Sequence, residues 1–212
     1  MSKEIKQRVI DILDRTFQVL DRCYFGNDEA TCMTDMEAGS KLIFPCYSNG
    51  ERRVSEQELR FLFVEQFNVY CKETGWKAFY SIETPTRLKY RFPKKEAPEQ
   101  IEDGRSAMID LCIHDEKGAR ICLIEFKALN PEQSCYRKDF LKLNKERGLS
   151  FFVQLLEKQD CKTMKNIVET KIENSLFGKI NYVCHTVTSK YSGTQYISPE
   201  KINKDGWKEI SE

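Results

Sequence analysis

Two neighbouring apolar runs, SAMIDLCIHD over residues 106–115 and ARICLIEFKAL over 119–129, are separated only by Glu116, Lys117 and Gly118. They constrain the fold more than any other stretch of the chain. A strand with one wet face alternates polar and apolar side chains, whereas these runs are apolar on both parities, as strands covered on two faces are. Both are therefore expected to be central strands of a sheet with helices above and below. Three charges interrupt them: Asp110 in the first, Glu125 and Lys127 in the second. Burying an unpaired charge costs several kcal/mol even after relaxation, so these residues must serve one another or a ligand.

Their mutual geometry follows from the turn. Gly118 suits a hairpin position with positive φ, and if the chain turns on Lys117-Gly118, seven residues lead back to Asp110 and seven lead on to Glu125. Asp110 and Glu125 then face each other. A four-residue loop, Glu116 to Ala119, gives the same register, whereas an odd loop would shift it by one. Opposed residues have Cβ atoms roughly 4.5–5.5 Å apart, and like charges at that distance repel unless a cation lies between them. Side chains alternate along a strand, so Lys127 shares the face of Glu125. Two carboxylates and an ammonium in a dry cleft are the parts for metal-assisted phosphodiester hydrolysis: Mg²⁺ polarises the phosphate and acidifies a bound water, and the lysine orients that water or balances developing charge. A salt bridge from Lys127 to one acid is the competing explanation, and it would leave the other carboxylate buried and uncompensated.

The rest of the chain supplies the surroundings. Residues 3–22 place Ile5, Val9, Ile12, Leu13, Phe17 and Leu20 at helical spacing, predicting an amphipathic helix ended near Gly26-Asn27; residues 27–53 read as a short helix or irregular linker. Ser55 and Glu58 form a capping box for a second helix with Leu59, Leu62, Phe63, Phe67 and Tyr70 on its buried stripe, closed by Gly75. An aromatic strand follows, cut by Pro85, then a basic stretch and an acidic loop to Gly104. A charged helix over 133–147 closed by Gly148, a strand LSFFVQLL, a helix capped by Thr163 and running to Phe177, and a last strand INYVCHTVT before a polar tail complete the order. Helices on a mixed sheet are the expected architecture.

Asp110, followed by "IEFK" ending at Lys127, with a helix before and a helix after, resembles the PD-(D/E)xK, or restriction-endonuclease-like, nuclease superfamily over roughly residues 54–157. The resemblance implies an α/β fold, a mixed β-sheet flanked by helices (an αβββαβ core, residues 54–212), here with an N-terminal helical extension (residues 1–53). It implies Mg²⁺, replaceable by Mn²⁺, held by Asp110 and Glu125 with the Phe126 carbonyl, and catalytic roles for Asp110, Glu125, Lys127 and a helix glutamate. Glu56 is the preferred glutamate because it shares the face of Leu59, Phe63 and Phe67, whereas Glu58 is accounted for by the cap. Ile109 stands where the superfamily name has proline. Gln133 and Tyr136 are one residue too close for the Gln-x-x-x-Tyr element of one exonuclease subgroup.

DNA is the expected substrate, with RNA left open. Arg137, Lys138 and Lys142 on the helix after the motif, and Arg87, Lys89 and Arg91 at strand spacing, are candidate phosphate contacts; a solvated sheet edge explains the latter three equally well. Some members of the superfamily that the chain resembles use an acid near the end of the first strand, where Glu83 lies. Glu83 reads more readily as an ordinary surface acid, and His114 and His185 as structural or solvent-facing. The balance of 34 Lys and Arg against 33 Asp and Glu, a net charge of +1, argues against indiscriminate coating of nucleic acid but not against a local basic groove. No apolar run approaches the roughly 20 residues of a membrane span, and charges break the N-terminus every two or three residues, so a cytoplasmic protein without membrane contact is expected. Nine cysteines, an odd number with no C-x-x-C pair, read as reduced core thiols. A homodimer through residues 3–22 and a catalytically inactive nuclease-like binding module are the rival readings.

Overall fold

In the computed structural model, which describes residues 2–25, 40–49, 53–93, 97–129, 133–156, 178–187 and 192–197, the expected apolar stripes become helix faces. Helix α1 (Ser2–Phe25) buries Val9, Ile12, Leu13, Phe17 and Leu20, and helix α2 (Glu56–Thr74) buries Leu59, Leu62, Phe63 and Phe67. The two stripes meet in one core with Leu111, Ile113, Ile124 and Phe126 of the sheet. The stripe of α1, which could have formed a dimer surface, packs on its own domain, the commoner fate of such a face. Asp11 accepts a hydrogen bond from the Tyr70 hydroxyl at 3.3 Å, and Arg15 pairs with Glu73 at 2.5 Å, fixing α1 on α2.

Ser55 is the N-cap residue of α2 and Gly75, at φ +70°, its C-cap, as helix-stop chemistry requires of a left-handed position. The capping box does not form: Ser55 makes no side-chain cap bond, and Glu58 pairs instead with Arg53. An opposite charge five residues upstream competes with a neutral backbone amide and wins.

Strands β1 (Phe79–Arg91), β2 (Glu99–Gln100), β3 (Arg105–His114), β4 (Arg120–Ala128), β5 (Leu149–Leu156), β6 (Ile180–Val187) and β7 (Ser192–Ile197) form one seven-stranded sheet in the order β2-β1-β3-β4-β5-β6-β7. Neighbours are antiparallel except at β4–β5 and β5–β6, which are parallel. Helix α3 (Gln133–Lys145) makes the crossover from β4 to β5, as parallel neighbours demand. It covers the second face, where Tyr136, Phe140 and Leu143 meet Leu123, Phe152 and Tyr182. The fold is therefore mixed α/β, with α1 and α2 on one side of the sheet and α3 on the other.

Four expectations need correction. Pro85 does not end β1; it sits opposite Met108 near the sheet edge, and the register slips between Pro85 and Lys89, which is where a residue without an N–H is tolerated. The acidic loop contains the two-residue strand β2, paired with Tyr90 and Arg91. Strand β6 is not the last, because β7 pairs along it from Val187 back to Tyr182. Cys46 is disulfide-bonded, whereas Cys23, Cys71, Cys112, Cys122, Cys135 and Cys184 are free. The helix expected from Thr163 to Phe177 lies outside the described residues. Among those residues no helix is long and apolar enough to cross a membrane.

Gly104 is the tightest point of the β2 region: a Cβ there would lie 2.6 Å from the Tyr90 carbonyl oxygen and 2.8 Å from its carbon and nitrogen. Backbone cannot step aside cheaply. Gly104→Ala is expected to destabilise the protein by roughly 1–3 kcal/mol, read as a lowered thermal midpoint at about 2–4 °C per kcal/mol. An unchanged midpoint would contradict this close approach.

Candidate functional site

The hairpin of β3 and β4 builds the site. Ile113 pairs with Cys122, Cys112 with Leu123 and Leu111 with Ile124, where the ladder ends; Asp110 and Glu125 are the next residue on each strand beyond that last pair, in the expected register. The turn reaches it differently. His114 pairs with Arg120, leaving the odd loop Asp115–Ala119, and a bulge between Ile113 and His114 absorbs the extra residue. On the other flank Ile82 pairs with Leu111 and Thr84 with Ile109, which puts Glu83 opposite Asp110. Glu83, Asp110 and Glu125 thus stand in a row across three strands. Glu83 has φ +47° and Leu129, two residues after Lys127, has φ +61°; non-glycine residues held in that region concentrate at sites where the surroundings over-determine them.

Asp110 does not simply stand off one face. Ile109 belongs to the core on the α3 side and Leu111 to the core on the α1/α2 side, so strand alternation lapses between them. The Phe126 amide donates to Asp110 Oδ2 at 2.8 Å, and Arg60 of α2 approaches Oδ1 at 3.8 Å while holding Glu83 at 2.7 Å. Phe126, expected to offer a carbonyl, contributes this amide, and its buried ring meets Phe63 edge-on at 5.6 Å. Glu125 and Lys127 both turn toward α3. Lys142 Nζ lies 2.6 Å from Glu125 Oε1, 2.8 Å from Asp139 Oδ1 and 2.8 Å from the Met108 carbonyl that it bonds. Lys127 Nζ lies 3.2 Å from Asp139 and 3.5 Å from Glu56. The ion pairs form two neighbouring groups, Arg60 with Glu83 and Asp110, and Lys127 and Lys142 with Glu56, Glu125 and Asp139, and Asp110 lies close enough to act electrostatically on Glu56, Glu125 and Lys127.

The cluster is short of positive charge. With every group ionised, Arg60 against Glu83 and Asp110 gives 1 − 2 = −1, and Lys127 and Lys142 against Glu56, Glu125 and Asp139 give 2 − 3 = −1. The shortage falls on Glu125: burial, with Asp139 and Asp110 nearby, pushes its carboxyl well above the usual range against the pull of Lys142. Glu56 is raised too, by burial first, with Lys127 opposing. Burial alone would discharge both lysines, but the surrounding carboxylates outweigh it and hold each above its ordinary value. Among the described residues no group of three or more His, Cys, Asp or Glu is arranged to hold a metal ion. The donor chemistry nevertheless suits a hard divalent ion, since Asp110 and Glu125 are carboxylates.

The compensation found here changes one step of the sequence reasoning. A purely structural ion-pair network was disfavoured because it would strand a carboxylate; Lys142 answers Glu125, and Arg60 answers Asp110. Lys142, expected at the phosphate backbone, is instead 7% exposed and committed to three acceptors, because α3 turns it inward one turn after Asp139. Lys138 is exposed and sits over the Phe92 ring at 5.8 Å. Arg137 is half-buried and engaged with the protein. Arg87, Lys89 and Arg91 are all exposed on β1, with Arg91 near Glu99 at 3.4 Å and Asp103 at 3.6 Å. Tyr136 is buried and accepts from Gln154 at 2.6 Å; the side chain of Gln133 lies outside what is described. His114 contacts Ser81 at 2.7 Å, and His185 contacts Asp21 and Thr194 at 2.8 and 2.7 Å beneath Phe17; both are structural.

Arg60, Asp139 and the inward role of Lys142 were missed, and Glu83 was weighed but set aside as a surface acid. Arg60 follows Glu56 by four residues, and Asp139 and Lys142 fall among the buried Tyr136, Phe140 and Leu143; charges at helical contact spacing on an apolar stripe were the available signal. Compared with family models, curated proteins and solved structures, the chain finds no match in any of the three.

Proposed function

We propose that the chain is a Mg²⁺-dependent nuclease hydrolysing phosphodiester bonds of DNA, built on a restriction-endonuclease-like αβββαβ core of the PD-(D/E)xK kind. One helix, an antiparallel three-strand meander, a crossover helix and a parallel strand support the fold reading. The observation that carries the function is the convergence of Glu56, Asp110, Glu125 and Lys127, where two neighbouring ion-pair groups are each one positive charge short. Asp110 and Glu125, with the Phe126 carbonyl, would hold Mg²⁺ or Mn²⁺, which supplies phosphate polarisation and an acidified water. Lys127 orients that water or balances charge on the phosphate, and Glu56 assists through Lys127. Arg87, Lys89 and Lys138 are exposed cations that can meet the DNA backbone.

The test is divalent-dependent cleavage of plasmid and single-stranded DNA by the wild type and by Lys127→Ala, which is expected to lose about two to four decades of rate. Cleavage without a divalent ion, or undiminished in the variant, would defeat the proposal. The pairing of Glu125 with Lys142 and of Asp110 with Arg60 favours a second reading, an inactive nuclease-like fold that binds nucleic acid or protein. Calorimetry separates the two: the enzyme binds Mn²⁺ and loses it on Glu125→Ala, whereas the binding module takes up no ion.

A further inference from the structure

Helix α3 carries no acid in its first turn, so Asp139 is not there to complement the helix dipole. It is buried, 7% exposed, within an otherwise apolar stripe. Its two oxygens are divided: Oδ1 to Lys142 at 2.8 Å and Oδ2 to Lys127 at 3.2 Å. Lys142 Nζ donates to the Met108 carbonyl, two residues before Asp110, and is ion-paired with Glu125 Oε1 at 2.6 Å and Asp139 Oδ1 at 2.8 Å. The two α3 residues therefore touch both β4 charges and the strand that carries Asp110.

We propose that Asp139 and Lys142 form a charge clamp: Asp139 fixes the Lys127 ammonium and Lys142 fixes the Glu125 carboxylate, holding the two β4 side chains where the proposed hydrolysis needs them. The clamp rests on the nuclease reading for its purpose but not for its geometry. Neither residue is catalytic; both act through the groups they hold. Lys127 has the long, flexible stem of any lysine, and beyond Asp139 its only other partner among the described contacts is Glu56, at 3.5 Å. Without Asp139 the ammonium is free to swing. Because Asp139 is shared, loss of either clamp residue loosens both β4 side chains, so their effects are expected to be less than additive.

Two measurements on the full chain test the clamp. The first is brief acetylation with acetic anhydride, with the extent at Lys127 read by peptide mass spectrometry. Lys127 is expected to label several-fold faster in Asp139→Ala than in the wild type, and Asp139→Glu is expected to restore slow labelling. The second is Mg²⁺-dependent cleavage, where Asp139→Asn and Lys142→Met are each expected to lower kcat by about 10–100-fold with little change in KM, Asp139→Glu again recovering most of it. Melting curves run alongside confirm that each variant folds, and labelling is scored on the folded fraction. Wild-type labelling of Lys127 in both Asp139→Ala and Asp139→Asn overturns the clamp, as does undiminished kcat in both Asp139→Asn and Lys142→Met. A wild type that never cleaves overturns the nuclease reading instead, and the labelling still decides the geometry.

Discussion

Asp110→Asn is expected to leave the fold intact and to lower divalent-dependent cleavage by about three decades. Asparagine keeps an acceptor for the Phe126 amide, which donates to Asp110 Oδ2 at 2.8 Å, so no buried N–H is orphaned. What it removes is one negative charge from a cluster whose shortage of cations is the reason to expect a divalent ion. Metal stabilisation of transition-state charge is worth several kcal/mol, and about 1.36 kcal/mol corresponds to each decade. Asp110→Ala is the poorer experiment, since it also strands the Phe126 amide at a cost of about 1–3 kcal/mol, and lost activity could then reflect lost structure. A second readout is independent of turnover: Mn²⁺ at 100 times its dissociation constant is expected to stabilise the wild type by about 2.7 kcal/mol and the Asn variant far less. Equal cleavage by the two proteins would remove Asp110 from the chemistry.

The legible part of this site was its β-hairpin, because pairing along a ladder is a matter of counting. Asp110 and Glu125 stand just beyond the last pair of the ladder as the spacing demanded, although the loop has five residues rather than two or four. The bulge at Ile113/His114 reconciles them, and the burial of Leu111, Ile113, Cys122 and Ile124 explains why it must. A one-residue slip would have moved that whole set from the α1/α2 core to the α3 core, so the register is enforced by the strand interiors, and the loop adapts. Pro85 was misread for a related reason: proline excludes a central strand, but nothing in local sequence says that β1 lies next to an edge.

Charge partners were less legible than charges. Arg60 and Asp139 lie 50 and 29 residues from Asp110, and which acid a basic side chain selects depends on how helices settle on the sheet. Glu58 shows the same limit locally. Its spacing from Ser55 satisfies the capping rule, yet Arg53 captures it. Glu83 looked like a surface acid because its place in the row depends on the β1–β3 register, which only the fold supplies. Lys142 was assigned to the phosphate backbone by its place on the helix after the motif, and only the inward turn of Tyr136, Phe140 and Leu143 shows that its side of α3 faces the sheet.

That reversal makes Lys142 the most informative residue for stability. A lysine reaching for phosphate from the surface would tolerate replacement by methionine within about 0.5 kcal/mol. Here Lys142→Met removes the cation 2.6 Å from Glu125, whose side chain is 2% exposed, and also the donor to the Met108 carbonyl. Breaking a buried pair from one side costs roughly 3–5 kcal/mol, because the remaining charge is uncompensated; at about 2–4 °C per kcal/mol this lowers the thermal midpoint by roughly 6–20 °C. Adding Glu125→Gln removes the stranded charge, so the double variant is expected to recover part of the loss, with a coupling energy of roughly 0.5–3 kcal/mol. Full recovery is not expected, since Asp139 keeps only Lys127 and the Met108 carbonyl stays unpaired. A midpoint unchanged in Lys142→Met, or losses that simply add in the double variant, would show that Lys142 and Glu125 do not depend on each other, and the inward orientation of α3's charges would have to be abandoned.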